Sequence, residues 1–437
     1  MVSDPYTTGF LGLAAMFVLI VLQVPVGIAM GVVGVVGTGM IIGFDPALTL
    51  LATEPSGAMA AEGLAVIALF LLMGNFAHVG GLSSELYRLA HVYLGHKRGG
   101  LIFATVGACA GFGAICGSSV ATAATMARIA LPEMLNRGYA KPLAAGSIAA
   151  GGTLGMIIPP SVVMILYAIL TENSIIALFL AAIVPGLMAV VFYFIAVAIA
   201  VRRNPETAPV GDRSDWRTRS RVSRASWAVV LLAITVSGGI YSGIFTVSEA
   251  ASVGASVALL LAIFRRRLTR PKFLAALGDT ASNTGMIFII IIGASVFSYF
   301  ATLSGLPAAT VAWIEGMNLP PLMVIGFLMV FYLILGAIFD TIAAMVLTLP
   351  FVYPLVIGLG YDPIWWGVIN IVVIELGMIT PPIGINVYVL HGMAKDLPLN
   401  TIFRGVIPFV IADLARLITL ILFPTLTLWL PEVLGWL

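Results

Sequence analysis

Charge is what this sequence has least of. Only 9% of its 437 residues are Asp, Glu, Lys or Arg, whereas a soluble domain carries about 25%. A water-facing surface cannot be built from so few charges. This excludes a soluble enzyme, a nucleic-acid module and a disordered chain. Cysteine is nearly absent: Cys109 and Cys116 stand in one apolar stretch, so no disulfide framework or cysteine-based metal site is available. His78, His91, His96 and His391 lack metal-ligand spacing, and no P-loop, metalloprotease helix or catalytic-triad signature occurs. The first residues, Met1 to Pro5, contain no Lys or Arg. A cleavable signal peptide needs a basic start, so the first apolar run is expected to be retained.

What is there is apolar. Hydrophobic residues make up 61% of the chain and the mean hydropathy is +1.12. These values predict an all-α polytopic membrane protein solvated by lipid. Apolar segments run at 9–43 (kinked near Gln23-Val24-Pro25), 63–80, 100–135, 142–170, 174–201, 226–244, 247–264, 282–304, 320–358, 363–390 and 402–431. Several are too long for one crossing and carry Gly, Pro and polar residues at their centres.

The net charge of +2 matters less than its distribution. Arg88, Lys97 and Arg98 precede the 100–135 segment, and Arg137 and Lys141 follow it. Seven arginines fill 202–224, five basic residues lie at 265–272, and Lys395 and Arg404 precede the last span. The loops at 44–60, 171–174, 305–319, 359–362 and 431–437 contain Asp or Glu but no Lys or Arg. The positive-inside rule places the basic set in the cytoplasm and the acidic set outside. Both flanks of 100–135 are then inside, and both flanks of 320–358 are outside. Each segment must enter and return, as a re-entrant hairpin from opposite faces.

The two halves are related in sequence. Phe76-Ala-His-Val-Gly-Gly-Leu82 matches Phe300-Ala-Thr-Leu-Ser-Gly-Leu306, Gly113-Ala-Ile115 matches Gly336-Ala-Ile338, and Leu154-Gly-Met-Ile-Ile-Pro-Pro160 matches Leu376-Gly-Met-Ile-Thr-Pro-Pro382. Five crossings separate the hairpins. Five is odd, so the second copy is inverted, which is a secondary-transporter architecture. The expected organisation is scaffold spans and an amphipathic segment over 1–99, then first hairpin, broken helix and following span over 100–201. An arginine-rich loop over 202–225 leads to scaffold spans over 226–319. The second hairpin and broken helix occupy 320–401, and the C-terminal span 402–437.

Irregular backbone at membrane depth is tolerated only where protein buries it or where it lines a watery cavity. Four interruptions are expected: Gly113-Ala-Ile-Cys-Gly-Ser-Ser119, Gly336-Ala-Ile-Phe-Asp-Thr341, Gly155-Met-Ile-Ile-Pro-Pro-Ser161 and Gly377-Met-Ile-Thr-Pro-Pro382. Each ends one half-helix in free carbonyls, which suit sodium, and starts another in free N–H groups, which suit a carboxylate. Ser118, Ser119 and Thr341 can cap or ligate. Asp340 adds a carboxylate opposite Gly117 of the first repeat, either as a cap or as an ion ligand. Glu375 serves an ion route or an interhelical hydrogen bond, and Asp413 and Arg416 are expected to pair. The Gly27-Gly31-Gly34-Gly37 series reads as a packing seam.

These motifs, with Ile129-Ala-Leu-Pro-Glu-Met134, strongly resemble the large membrane subunit of the tripartite ATP-independent periplasmic (TRAP) transporters, over nearly the whole chain. The resemblance implies a sodium-driven elevator in the bacterial inner membrane, with Na+ as coupling ion and no organic cofactor. On this resemblance it would import a small organic acid such as a C4-dicarboxylate or sialic acid, and would not be an enzyme. A periplasmic binding protein would deliver the acid, and a small membrane subunit, expected as a separate chain, would steady the scaffold. It further implies one sodium site at Cys116, Ser118, Gly155, Ile158 and Pro160, and a second at Asp340, Gly377 and Thr380. The substrate carboxylate would lie near Ser119, Ser161 and Thr380. Cys116 stands where relatives often carry Ser. The competing readings are a stand-alone anion symporter or antiporter, and a membrane-embedded enzyme for which only Asp340 and Glu375 would qualify among the carboxylates.

Single cysteines at 215 and 395 should react with impermeant reagent only from the cytoplasmic side, and those at 315 and 362 only from the outside. Labelling of 215 with protection of 315 in intact spheroplasts would contradict the inverted repeat.

Overall fold

The structure is a computed structural model that describes residues 4–60 and 62–437, and its apolar helices are the way such a chain satisfies its own backbone in lipid. Met1–Ser3, on which the expectation of a retained first run partly rests, lie outside the described residues.

The chain begins with α1 (Pro5–Val21) and α2 (Val26–Ile42), 17 residues each. The sequence leaves open one kinked span or two here; the finding is two helices that fold back on each other. Gln23 adopts φ +67° and Pro25 caps the start of α2, so the link reverses direction instead of bending. The acidic 44–60 loop is likewise a helix, α3 (Phe44–Ala60), largely exposed and set at 58° to α4 (Glu62–Val79). Asp45 in its first turn favours the helix dipole. The amphipathic α5 (Leu82–Leu94) follows left-handed Gly81.

The first hairpin is α6 (Gly100–Cys116) and α7 (Ser119–Asn136). Its partner is a helix broken between α8 (Lys141–Ile157) and α9 (Val162–Leu170), which meet at 41°. The long α10 (Ile175–Arg203) returns to the basic side. Within the arginine-rich segment lies α11 (Trp216–Ala225), capped by Asp215, where a loop was expected. Then α12 (Trp227–Ala233) runs through a π-turn into α13 (Gly239–Tyr241), and α14 (Val247–Phe264) starts with a Thr246/Glu249 capping box. Next, α15 (Arg270–Ser304) has 35 residues, about 52 Å at 1.5 Å per residue. That exceeds a hydrocarbon core of about 30 Å, so the expected span 282–304 is only its outer part.

The 305–319 loop also proves helical, as α16 (Leu306–Gly316). The second hairpin is α17 (Pro321–Ile338) and α18 (Thr341–Gly358), followed by the broken pair α19 (Pro363–Gly377) and α20 (Ile385–Met393). The last segment divides at Phe423-Pro424 into α21 (Leu399–Leu422) and α22 (Thr425–Val433).

The repeat is visible in the packing. The hairpins, broken helices and following helices (α6–α10 and α17–α21) correspond in order. In the remainder, α2 runs along α15, and α4 runs along α14. At the centre α8 is buried from Leu143 to Ile157 and α19 from Ile364 to Gly377. The Ala/Gly composition of α8 lets its neighbours approach closely, with Gly146 directly against Gly405 of α21.

The glycine seam expected on α2 is the α2–α15 interface. A Cβ at Gly27 would lie 2.7 Å from Ile290 Cα, and one at Gly34 would lie 2.8 Å from Val296 O. Gly27→Val should therefore force the two backbones apart and cost about 1–3 kcal/mol, read as a lowered thermal midpoint in detergent. Gly285→Ala, whose Cβ would meet no atom of a neighbouring helix within 4 Å among the described residues, should not lower it. Equal midpoints for wild type and Gly27→Val would show that α2 does not depend on this contact.

Candidate functional site

At the first hairpin tip the chain reads Cys116-Gly117-Ser118. Gly117 takes φ +62°, a left-handed value that glycine adopts without strain, and its N–H closes α6 onto Gly113 O at 2.8 Å. Ser118 then caps α7, its hydroxyl accepting from Ala121 N at 3.3 Å. The tip presses on the first break: a Cβ at Gly117 would lie 3.2 Å from Pro160 O. Gly113 and Gly155 meet backbone to backbone, and a Cβ at Gly155 would lie 2.8 Å from Ser118 O and 2.7 Å from Thr122 Oγ1.

Two consecutive prolines explain the break. Pro159 and Pro160 have no N–H, so the carbonyls of Gly155 and Met156 lose their intrahelical donors. The expected first set is contiguous at Ser118, Gly155 and Pro160. Cys116 and Ile158 flank it, facing Gly74 of α4 and Gly186 of α10 respectively. Thr122 was not singled out from sequence, yet its hydroxyl donates to Ser118 O at 2.7 Å. Its spacing of four from Ser118 was the available signal.

The second tip corrects the residue correspondence. Here α17 ends at Ile338, Phe339 is extended, and Asp340 caps α18 by accepting from Ala343 N at 2.6 Å. Asp340 therefore matches the capping Ser118, not Gly117 as expected. The first tip holds one extra residue, so the offset of 223 at Gly113 becomes 222 beyond it. A carboxylate has replaced a hydroxyl at one capping position.

The second break is also longer and better satisfied. Gly377 O accepts from Thr380 N at 2.8 Å, and Met378 O accepts from Asn386 N at 3.1 Å. Ala337 O, at the hairpin tip, accepts from Ile383 N at 3.2 Å and Gly384 N at 3.0 Å. Gly377 packs against Gly336, a Cβ there lying 2.6 Å from Gly336 C. Thr380 donates its hydroxyl back to Leu376 O at 2.7 Å. So Gly377 meets the tip that carries Asp340, while the Thr380 hydroxyl is engaged within its own helix end.

The two repeats meet between the tips. Thr341 donates to Glu375 Oε1 at 2.6 Å and lies 2.9 Å from Met378 Sδ, while the Ser119 hydroxyl of the opposite hairpin reaches the same sulfur at 3.7 Å. Ser119, Thr341 and Glu375 are all buried, and Glu375 Oε2 has no hydrogen-bond partner among the described residues. Asn386 crosses similarly, its Nδ2 donating to Ala149 O of α8 at 3.4 Å. Ser119 is thus in the convergence, whereas Ser161, whose buried hydroxyl has no partner among the described residues, and Thr380 are not bonded to it. For Glu375 the structure finds the interhelical hydrogen bond. Its counterpart Thr153, at the offset of 222, also bonds sideways, 3.1 Å from Tyr193 OH. That shared register was the overlooked signal.

Behind the site, Arg416 pairs with Asp413 at 2.9 Å, as expected, and Tyr193 donates to Asp413. On the acidic side a cavity of about 730 Å³ separates α9 and α18 from α15 and α16, lined by Glu54, Thr171, Ser298, Tyr299 and Tyr353 among others. Opposed hairpins, paired breaks and a vestibule define a multi-pass membrane transport protein.

Residues 13–426 match the family described as tripartite ATP-independent periplasmic transporter, DctM component. The chain belongs to this family. It is 34% identical over 409 residues to the C4-dicarboxylate TRAP transporter large permease protein of Pseudomonas aeruginosa, covering 90% of this chain and 94% of the relative. It is 29% identical over 424 residues to the sialic acid TRAP transporter large permease protein of Vibrio cholerae, covering 93% and 98%. Among solved structures, the YdaH transporter of Alcanivorax borkumensis shares the fold at TM-score 0.64 and 16% identity, over 90% of each chain. The relatives are permease subunits, not enzymes.

Thr341→Val should leave both Glu375 oxygens unpartnered and lower stability by about 1–3 kcal/mol, with Thr341→Ser restoring it. Thermal unfolding in detergent reads both. A Thr341→Val variant as stable as wild type would remove the Thr341–Glu375 bond from the account.

Proposed function

We propose that this chain is the large permease subunit of a sodium-coupled importer of a small organic acid, C4-dicarboxylate, sialic acid or a similar carboxylate. The observation that carries this reading is the convergence of the two capped hairpin tips on Met378, with Glu375 bonded to the second of them, beside a break whose Gly155 and Met156 carbonyls lack helical donors. Sodium would be held at Cys116, Ser118, Gly155, Ile158 and Pro160 through backbone oxygen, where hard donors suit a dehydrated cation. A second ion would use Asp340, Gly377 and Thr380; for this one, the Thr380 hydroxyl would have to turn away from Leu376 O. The N-termini of α7 and α18 would face the substrate carboxylate with their positive dipole ends, helped by Ser119, Ser161 and Thr380.

In this reading the hairpins, broken helices, α10 and α21 move together against α2, α4, α14 and α15. The vestibule at Tyr299 and Tyr353 would receive acid from a periplasmic binding protein. A small membrane subunit would hold the scaffold at the inner membrane. The names of the relatives differ in substrate, so the acid itself is set by ligand screening of the binding protein.

Asp340 is the sharpest test. Its carboxylate would stabilise a bound cation strongly where the dielectric is low. Asp340→Asn should fold and assemble with its partners but lose concentrative uptake driven by a sodium gradient in proteoliposomes. Full sodium-driven uptake by Asp340→Asn would remove Asp340 from the ion site. Uptake driven by a pH gradient without sodium would contradict sodium coupling, and uptake by the chain alone would favour a stand-alone transporter.

A further inference from the structure

We propose that the groove between α10 and α21 binds an anionic phospholipid of the cytoplasmic leaflet, with an acyl chain along the groove and the phosphate on Arg203 and Arg404. The groove encloses about 700 Å³. One wall is Phe192, Ile195, Ile199 and Arg203 of α10, and the other is Arg404, Ile407 and Ile411 of α21. Each wall repeats at helical spacing and turns from apolar to basic at the same end. The helices are antiparallel, so the C-terminal arginine of one lies level with the N-terminal arginine of the other. Ala196, Ala200, Gly405 and Ala412 keep the floor low.

Length and charge select the occupant. From Phe192 to Arg203 is eleven residues, about 16 Å of helix, which matches half of a hydrocarbon core of about 30 Å. A chain from one leaflet fills it. Ile195, Ile199, Ile407 and Ile411 are 48–61% exposed, an apolar lining open to lipid. Arg203 and Arg404 form no ion pair among the described residues, and no Asp or Glu lines the groove. Asn204 and Thr207 add neutral hydrogen-bonding groups beside them. The basic end lies at the side that the charge distribution assigns to the cytoplasm, where anionic headgroups meet arginines between helices. This inference rests on that sidedness and not on the sodium reading. Arg404 also lines a smaller cavity with Thr380 and Pro381 of the second break, so the headgroup would sit next to the moving part of the site.

The test offers the purified full chain equal amounts of phosphatidylglycerol and phosphatidylcholine with identical acyl chains, and measures retained lipid by native mass spectrometry. Wild type should retain phosphatidylglycerol preferentially. Arg203→Gln with Arg404→Gln should weaken that retention about fivefold per arginine. Ile411→Trp, at an exposed position with both arginines intact, should displace the chain and lower retention as well; it decides the matter if the double variant does not fold. Equal retention of the two lipids by wild type would overturn the proposal, as would unchanged phosphatidylglycerol binding in Ile411→Trp. Displacement of the lipid by inorganic phosphate at matched concentration would make this an anion site and also overturn it.

Discussion

A backbone group left unpaired at membrane depth must be buried in protein or face a watery cavity, and this constraint governs the fold. A straight helix meets it automatically, whereas a hairpin tip or a break does not. The chain deals with its four interruptions by pressing them against each other in pairs: Gly117 meets Pro160, and Ala337 O takes the N–H groups of Ile383 and Gly384. Glycines at 113, 155, 336 and 377 let tip and break touch backbone to backbone. The repeats then diverge. The second break finds partners for its Gly377 and Met378 carbonyls, while proline at 159 and 160 strips helical donors from Gly155 and Met156. Symmetric sequence has produced one satisfied break and one with oxygen to offer.

Buried charge is a second constraint on the same region. Removing one member of a buried ion pair costs about 3–5 kcal/mol, more than a neutral hydrogen bond contributes. Asp413 is therefore held by both Arg416 and Tyr193, and Tyr193 leads on to Thr153 beside the first break. This ties α8, α10 and α21 into one body. Glu375 is less fully satisfied, with one oxygen on Thr341 and the other without a hydrogen-bond partner among the described residues. It is the buried carboxylate nearest the convergence of the hairpins, so the polar demand of the site is concentrated there.

Much of this was legible in the sequence because its signals were punctuation marks in long apolar runs. Gly-Ser-Ser and Pro-Pro marked the tips and breaks, and arginine placement required the hairpins to return. Elements outside the apolar runs were harder to read. The helices α3, α11 and α16 were expected as loops, since charge or turn residues interrupt their hydropathy although their backbone is helical. The reversal at Gln23 was hidden because a proline after a polar residue reads equally as kink or turn. The one-residue difference between the tips displaced Asp340 from its true counterpart, Ser118. Side-chain direction was out of reach: the family resemblance implied Ser119, Ser161 and Thr380 as neighbours, and of these three Ser119 bonds into the cross-repeat cluster.

The proposed sodium coupling requires the two tips and two breaks to act as one cation-responsive unit. Amide hydrogen exchange with and without sodium, at constant ionic strength with choline as the replacement cation, tests it most directly. The account predicts that sodium slows exchange together at 116–119, 158–162, 339–343 and 377–386, with α2, α4, α14 and α15 unchanged. Protection that is the same in sodium and choline, or that spreads evenly over scaffold and hairpins, would contradict it.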